Sequence, residues 1–259
     1  MPRFAANLTM LFNEVDFLDR FAAAADAGFT GVEYLFPYDF EKAALVERLR
    51  ANRLTQALHN LPAGDWTAGE RGIACHPDRV DEFRDGVGRA IDYATALGCE
   101  RLNCLAGLAP AGVDDGAVRE TFVGNLRFAA AACATASITL LTEPINTRDV
   151  PGFWLSHTDQ AISIIDEVGA TNLKLQYDVY HMQIMEGDLA ATLARHIDRI
   201  GHIQIADSPG RHEPGSGEID YPFLFDRLDR LGYEGWVGCE YKPAGGTVEG
   251  LGWLKPYLA

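Results

Sequence analysis

Short apolar runs alternate along this chain with longer stretches in which apolar residues recur every three or four positions. The runs begin near Phe4 (FAANL), Gly31 (GVEYL), Thr55 (TQALHN), Arg101 (RLNCLAG), Ile138 (ITLLTEPIN), Leu173 (LKLQYDVY), Gly201 (GHIQIAD) and Gly235 (GWVGCEY), eight in all. Most are continuous rather than alternating, as expected of parallel strands covered on both faces. Phe17, Leu18, Phe21 and Ala25 share one helical face ahead of Gly28, where a C-terminal cap belongs. Phe83, Val87, Ala90, Ile91, Ala94 and Leu97 repeat the pattern before Gly98, and Leu224, Leu228 and Leu231 before Gly232.

Strand-helix alternation predicts a parallel sheet. Eight units predict an α/β protein made of a single (β/α)8 TIM barrel domain over residues 1–259. An open doubly wound sheet is the rival. Its nucleotide-binding forms lose support, because no GxGxxG follows the first strand and no GxxxxGK[ST] occurs. One connection stands out for length, Leu61 to Pro77, with three glycines and two prolines. It follows a strand end, so on a barrel it reads either as a lid over the catalytic face or as a surface excursion.

Barrel chemistry sits at the C-terminal ends of the strands. Glu143 ends ITLLTE, Asp178 ends LKLQYD, Gln204 lies in HIQIAD and Glu240 ends GWVGCE. They fall on the fifth to eighth strands, which are neighbours in a barrel. A lone acid at a strand end is usually solvated or caps a helix. Three carboxylates and an amide on consecutive strands point instead to a divalent cation, which offsets their repulsion. An all-oxygen set suits Mg²⁺, or Mn²⁺, better than zinc, and leaves about two octahedral positions for adjacent substrate oxygens.

Charge narrows the partners. The chain has 22 basic and 37 acidic residues, a formal net charge of −15, which disfavours nucleic acid. No apolar run approaches the ~20 residues that span a bilayer. The five cysteines form no CxxC and the start lacks a signal-peptide pattern, so the expectation is a cytoplasmic protein with reduced thiols. Oligomeric state is left open.

Several segments carry a family resemblance: RFAANLTMLF, LHNLPAGDW, GERGIAC, TEPIN, QYDVYHMQ, HIQIAD, HEPGSGEIDY and GCEYKP. Together they make the whole chain resemble the hydroxypyruvate isomerase family of xylose-isomerase-like barrels. The resemblance implies interconversion of hydroxypyruvate and 2-hydroxy-3-oxopropanoate (tartronate semialdehyde). It implies Glu143 and Glu240 as acid/base residues, and Glu143, Asp178, Gln204 and Glu240 as metal ligands. A close branch resembles 2-oxo-tetronate isomerase, with a four-carbon substrate, while the long loop here looks more like the hydroxypyruvate branch. Sugar epimerases, with His in place of Gln204, and endonucleases with His-rich zinc sites are more distant.

A small hydroxy-oxo acid also needs positive charge and hydrogen-bond donors. Arg211, in the loop after the seventh strand, is the first choice for its carboxylate, with Lys242 and Arg71 as further cations. His59 and His181 are candidate substrate contacts, each with a structural alternative: packing for His59, support of a ligand for His181. Trp66 and Phe12 are candidate covers. An endonuclease-like phosphodiesterase and a non-catalytic binding protein are the disfavoured alternatives.

Overall fold

The computed structural model describes residues 2–258; the terminal Met1 and Ala259 of the expected 1–259 span lie outside the described residues. The strands are β1 (Arg3–Asn7), β2 (Gly31–Glu33), β3 (Thr55–Asn60), β4 (Arg101–Cys104), β5 (Thr139–Thr142), β6 (Leu173–Asp178), β7 (Ile200–Ile205) and β8 (Trp236–Cys239). All neighbours pair in parallel, and β8 returns to β1, so the sheet closes into a barrel.

The helices are α1 (Arg20–Asp26), α2 (Lys42–Asn52), α3 (Val80–Leu97), α4 (Asp115–Thr135), α5 (Thr158–Val168), α6 (Val179–Met185), α7 (Leu189–His196), α8 (Tyr221–Arg230) and α9 (Thr247–Gly250). In α3 the buried side chains are Phe83, Val87, Ala90, Ala94 and Leu97, a three-to-four spacing that lays one face on the strands. It stops at Gly98, whose φ of 64° is the left-handed conformation of a C-terminal cap. The first expected helix is shorter than its apolar pattern: Phe17–Asp19 form a 3-10 turn ahead of α1.

The barrel interior is divided by height. At the lower end the Trp236 indole packs with Ala5 and Ala57. Gly31 is required there, since a Cβ would lie 2.5 Å from the indole. Higher up the interior is polar, with Asn7, Glu33, Asn60, Asn103, Gln176, His202 and Gln204 all buried. Register sets their level: Asp178 pairs with Gln204, Gln204 with Gly238, and Asn60 with Asn103. The apolar core therefore lies between strands and helices, and the interior near the mouth is given over to hydrogen-bonding groups.

Candidate active site

Glu143 and Glu240 each stand one residue beyond a strand, after β5 and β8, and both line a cavity of about 500 Å³ at the barrel mouth. Gln176, His181, Arg211 and Lys242 line it too, with Trp66 and Arg71 from the long loop. Asp178 lies just behind this lining, fully buried, with Oδ2 3.6 Å from His181 Nε2 and 3.9 Å from Arg211 Nη2.

Below the two glutamates runs a belt of amides. Asn7 Nδ2 and Gln204 Nε2 donate to Glu240 Oε2 at 3.1 and 2.7 Å. Gln176 Nε2 donates to Gln204 Oε1 at 2.7 Å and to Glu143 Oε2 at 2.8 Å. Asn103 Nδ2 donates to Glu143 Oε2 at 2.9 Å and to Asn60 Oδ1 at 3.2 Å. One oxygen of each glutamate is thus held by side chains from other strands.

The electrostatics follow from crowding in a dry site. Burial, then Glu240 and Asp178, hold the Glu143 carboxyl well above the usual carboxylate range. Burial also raises that of Glu240, against the opposing pull of Arg211. Arg211 Nη2 donates to Glu240 Oε1 at 2.7 Å. Burial disfavours its charge, but Glu240, Asp178 and Glu143 together raise its pKa. Much of its charge is therefore engaged by the protein's own acids.

A divalent cation fits this donor set. Asp178 uses Oδ1 to cap α6, accepting from the backbone N–H of Tyr180 (2.7 Å) and His181 (3.2 Å). Its Oδ2 is buried with no hydrogen-bond partner, which is costly for a carboxylate unless a cation meets it. Glu143, Asp178 and His181 offer ligand atoms all within 4.8 Å of one another, the one such group of three among the described residues.

The His181 tautomer argues for a different part in the site. The Asp149 N–H donates to Asn146 Oδ1 at 2.7 Å, and Asn146 Nδ2 donates to Asp149 Oδ2 at 3.2 Å, which fixes the Asn146 amide. The same Nδ2 lies 2.6 Å from His181 Nδ1, which must accept. The ring is therefore protonated at Nε2. Burial lowers its pKa to about 4, so it is neutral and presents an N–H donor.

His59 does not reach the cavity. Side chains alternate along a strand, and Asn60 faces inward to Asn103, so His59 faces outward. It is fully buried beside Tyr38, facing the backbone at Ala90 of α3. The expectation that it contacts substrate is corrected on that ground. Phe12 is likewise buried, against Phe29, away from the cavity. Gln204 lies in the amide belt below the lining, and Lys242 is exposed at the rim.

Two loops complete the mouth. Leu61–Pro77 is tied down by Gly72 N–H to Ala63 O (3.0 Å) and Cys75 N–H to Ala106 O (2.9 Å). Its Arg71 guanidinium stacks 4.2 Å from the Trp66 ring centre. The loop that carries Arg211 is organised by Asp207, a residue whose role no local sequence pattern marks. This fully buried carboxylate accepts from four backbone N–H groups, those of Ser208 (2.9 Å), Gly215 (2.9 Å), Gly217 (2.9 Å) and Ile219 (3.1 Å).

A closed (β/α)8 barrel whose mouth gathers three acids, an arginine and a neutral histidine defines a class: barrel enzymes with a carboxylate-centred, metal-competent site. The chain belongs to the xylose isomerase-like TIM barrel family, whose model matches residues 21–257. It is 58% identical over 258 residues to the 2-oxo-tetronate isomerase of Cupriavidus necator, covering 100% of this chain and 99% of that one. It is 56% identical over 257 residues to the hydroxypyruvate isomerase of Escherichia coli, covering 99% and 100%. A crystal structure titled AP endonuclease, family 2, from Brucella melitensis superposes with a TM-score of 0.97 at 50% identity, covering 99% of both chains.

Proposed function

We propose that the chain is an isomerase interconverting hydroxypyruvate and 2-hydroxy-3-oxopropanoate, with 2-oxo-tetronate as the four-carbon alternative. One observation carries the reading. Glu143 and Glu240 approach one cavity from β5 and β8, each with an oxygen fixed by the amide belt and each with a raised affinity for a proton. Such a pair supplies an acid and a base to one small substrate.

The reaction moves a carbonyl by one carbon. One glutamate takes a proton from the carbon bearing the hydroxyl, giving an enediolate. The other glutamate protonates the former carbonyl carbon, and a proton passes from one oxygen to the other. The roles of the two exchange with direction, by microscopic reversibility. His181 Nε2–H donates to the substrate oxygen that gains charge. Arg211 fixes Glu240 through Oε1 and, with Lys242, offers positive charge to the substrate carboxylate. Mg²⁺, or Mn²⁺, held by Glu143, Asp178, Gln204 and Glu240, would supply Lewis-acid stabilisation of the substrate oxygens. Charge and site both support a small acid over a nucleic acid. The net charge is −15, and among the described residues the one cluster of three potential ligands contains a single histidine.

The test is proton NMR of hydroxypyruvate and of 2-oxo-tetronate, each incubated in D₂O with metal-loaded protein. The expected result is isomerisation with solvent deuterium at the receiving carbon, and severe loss of kcat in Glu143→Gln and in Glu240→Gln. Fully intramolecular transfer, together with near wild-type turnover in both variants, would refute two-base catalysis. Failure on both acids would refute the substrate class.

A further inference from the structure

Glu33 has no place in the chemistry above, yet three buried side chains of the barrel interior converge on its carboxylate. It ends β2 and is 1% exposed. Its Oε1 accepts from Asn7 Nδ2 at 3.0 Å and Gln204 Nε2 at 2.8 Å, and its Oε2 lies 2.7 Å from His202 Nε2. It does not line the cavity. The backbone opposite is cut away for it, since a Cβ on Gly238 would lie 2.3–2.5 Å from the Glu33 carboxylate.

An amide has a donor end and an acceptor end, whereas a carboxylate group offers acceptor oxygens on both sides and no N–H. Gln204 meets two carboxylates on one side, Glu33 and Glu240, so its NH₂ faces them and its carbonyl must turn to Gln176. Gln176 must then present its NH₂ to both Gln204 and Glu143. Each orientation dictates the next, around the barrel from β2 through β7 and β6 to the residue after β5.

The geometry assigns Glu33 as the positioning residue that fixes the direction of the amide belt, and through it the placement of both Glu240 and Glu143. This rests on the proposed roles of those two glutamates. The essential property is acceptor-only chemistry, not shape. A glutamine at 33 matches the shape but brings a donor. If its NH₂ faces Asn7 and Gln204, three donors converge. If it faces His202, the ring must accept at Nε2 and bear its proton at Nδ1, which is buried without a partner. An aspartate is one methylene short but still only accepts.

The experiment compares Glu33→Gln with Glu33→Asp. Kinetics on the metal-loaded enzyme should show kcat reduced at least about 10-fold more in Glu33→Gln than in Glu33→Asp, with KM within about 3-fold of wild type in both. A pure packing role reverses the order, because glutamine fills the site better. The second readout needs neither metal nor turnover: side-chain amide NMR signals of Gln176 and Gln204 in metal-free protein, assigned by single substitution. Glu33→Gln should speed hydrogen exchange of both NH₂ groups, including that of Gln176, which Glu33 does not touch. Glu33→Asp should largely preserve them. If Glu33→Gln does not fold, Gly238→Ala displaces the native carboxylate from the opposite strand and should perturb the same two signals. An unchanged Gln176 signal in a folded variant, or a Glu33→Gln enzyme faster than Glu33→Asp, overturns the assignment. Inactive wild type with the NMR pattern intact would instead count against the proposed reaction alone.

Discussion

Asp207→Asn tests how Arg211 is delivered to the mouth. In the native protein Asp207 Oδ1 takes the N–H groups of Ser208 and Ile219, and Oδ2 takes those of Gly215 and Gly217. Asparagine keeps one oxygen and turns an NH₂ toward the other pair of donors. Two charge-assisted bonds are lost, worth about 1.5–3 kcal/mol each, so a rigid loop would lose roughly 3–6 kcal/mol. The two pairs are not equivalent, because Gly215 and Gly217 are exposed while Ile219 is buried. The NH₂ should therefore settle on the glycine side, where water replaces the lost acceptor. That brings the expected loss in urea unfolding down to about 2–3 kcal/mol. The functional effect should exceed the thermodynamic one. The Arg211 N–H bonds Asp207 O at 2.8 Å, and Lys242 N–H bonds Arg211 O at 2.8 Å, so loosening this loop loosens the guanidinium on Glu240. Proteolysis at 208–219 should speed up, and kcat/KM should fall at least about 10-fold. A variant within about 0.5 kcal/mol of wild type, with a protease-resistant loop and unchanged kcat/KM, would refute the anchoring argument.

Asp178→Asn should weaken Mg²⁺ or Mn²⁺ binding at least about 10-fold by calorimetry while changing stability by less than about 1 kcal/mol, because asparagine still caps α6. Arg211→Ala should lower kcat by freeing Glu240 Oε1, and should also raise KM for the acid about 10- to 150-fold more than for an uncharged hydroxy-ketone. Equal KM effects on both substrates would show that Arg211 serves Glu240 alone. Burial lowers the pKa of His59 to about 3, below its ordinary value in the unfolded chain. The unfolded state therefore binds the proton first, and the His59 contribution to stability is complete above about pH 6.5. It falls by about 1.4 kcal/mol per pH unit as pH drops toward 3. His59→Phe should flatten urea-unfolding stability between pH 6 and 4.5 by up to that slope, and an unchanged slope would refute the assignment.

The strands were legible because each apolar run ends at a turn residue or a lone polar side chain, and all eight lie where those runs fall. Glu143, Asp178 and Glu240 were legible for the same reason. Parity within a strand was harder to read. In ALHN the histidine drew attention, whereas alternation gives the interior to Asn60, and the same count of two from Asp178 would have found Gln176. Asn7, Glu33 and Asn103 gave no local signal, since the belt partners of their side chains lie 26 to 233 residues away. Asp207 ends the HIQIAD run, but its role depends on four backbone groups that no side-chain pattern encodes.

The Asn7–Glu240 bond joins residues 233 positions apart, across the β1–β8 seam where the first and last strands meet. During synthesis the asparagine of the first strand has Glu33 in reach early, but must wait for almost the entire chain before it can also hold Glu240. Glu143 and Asp178 emerge much earlier. Sealing the seam completes the polar belt around Glu240, so compaction and a finished mouth are expected as separate events in time. In refolding, helical signal should return before substrate turnover, with the interval measuring how slowly the two ends of the chain find each other.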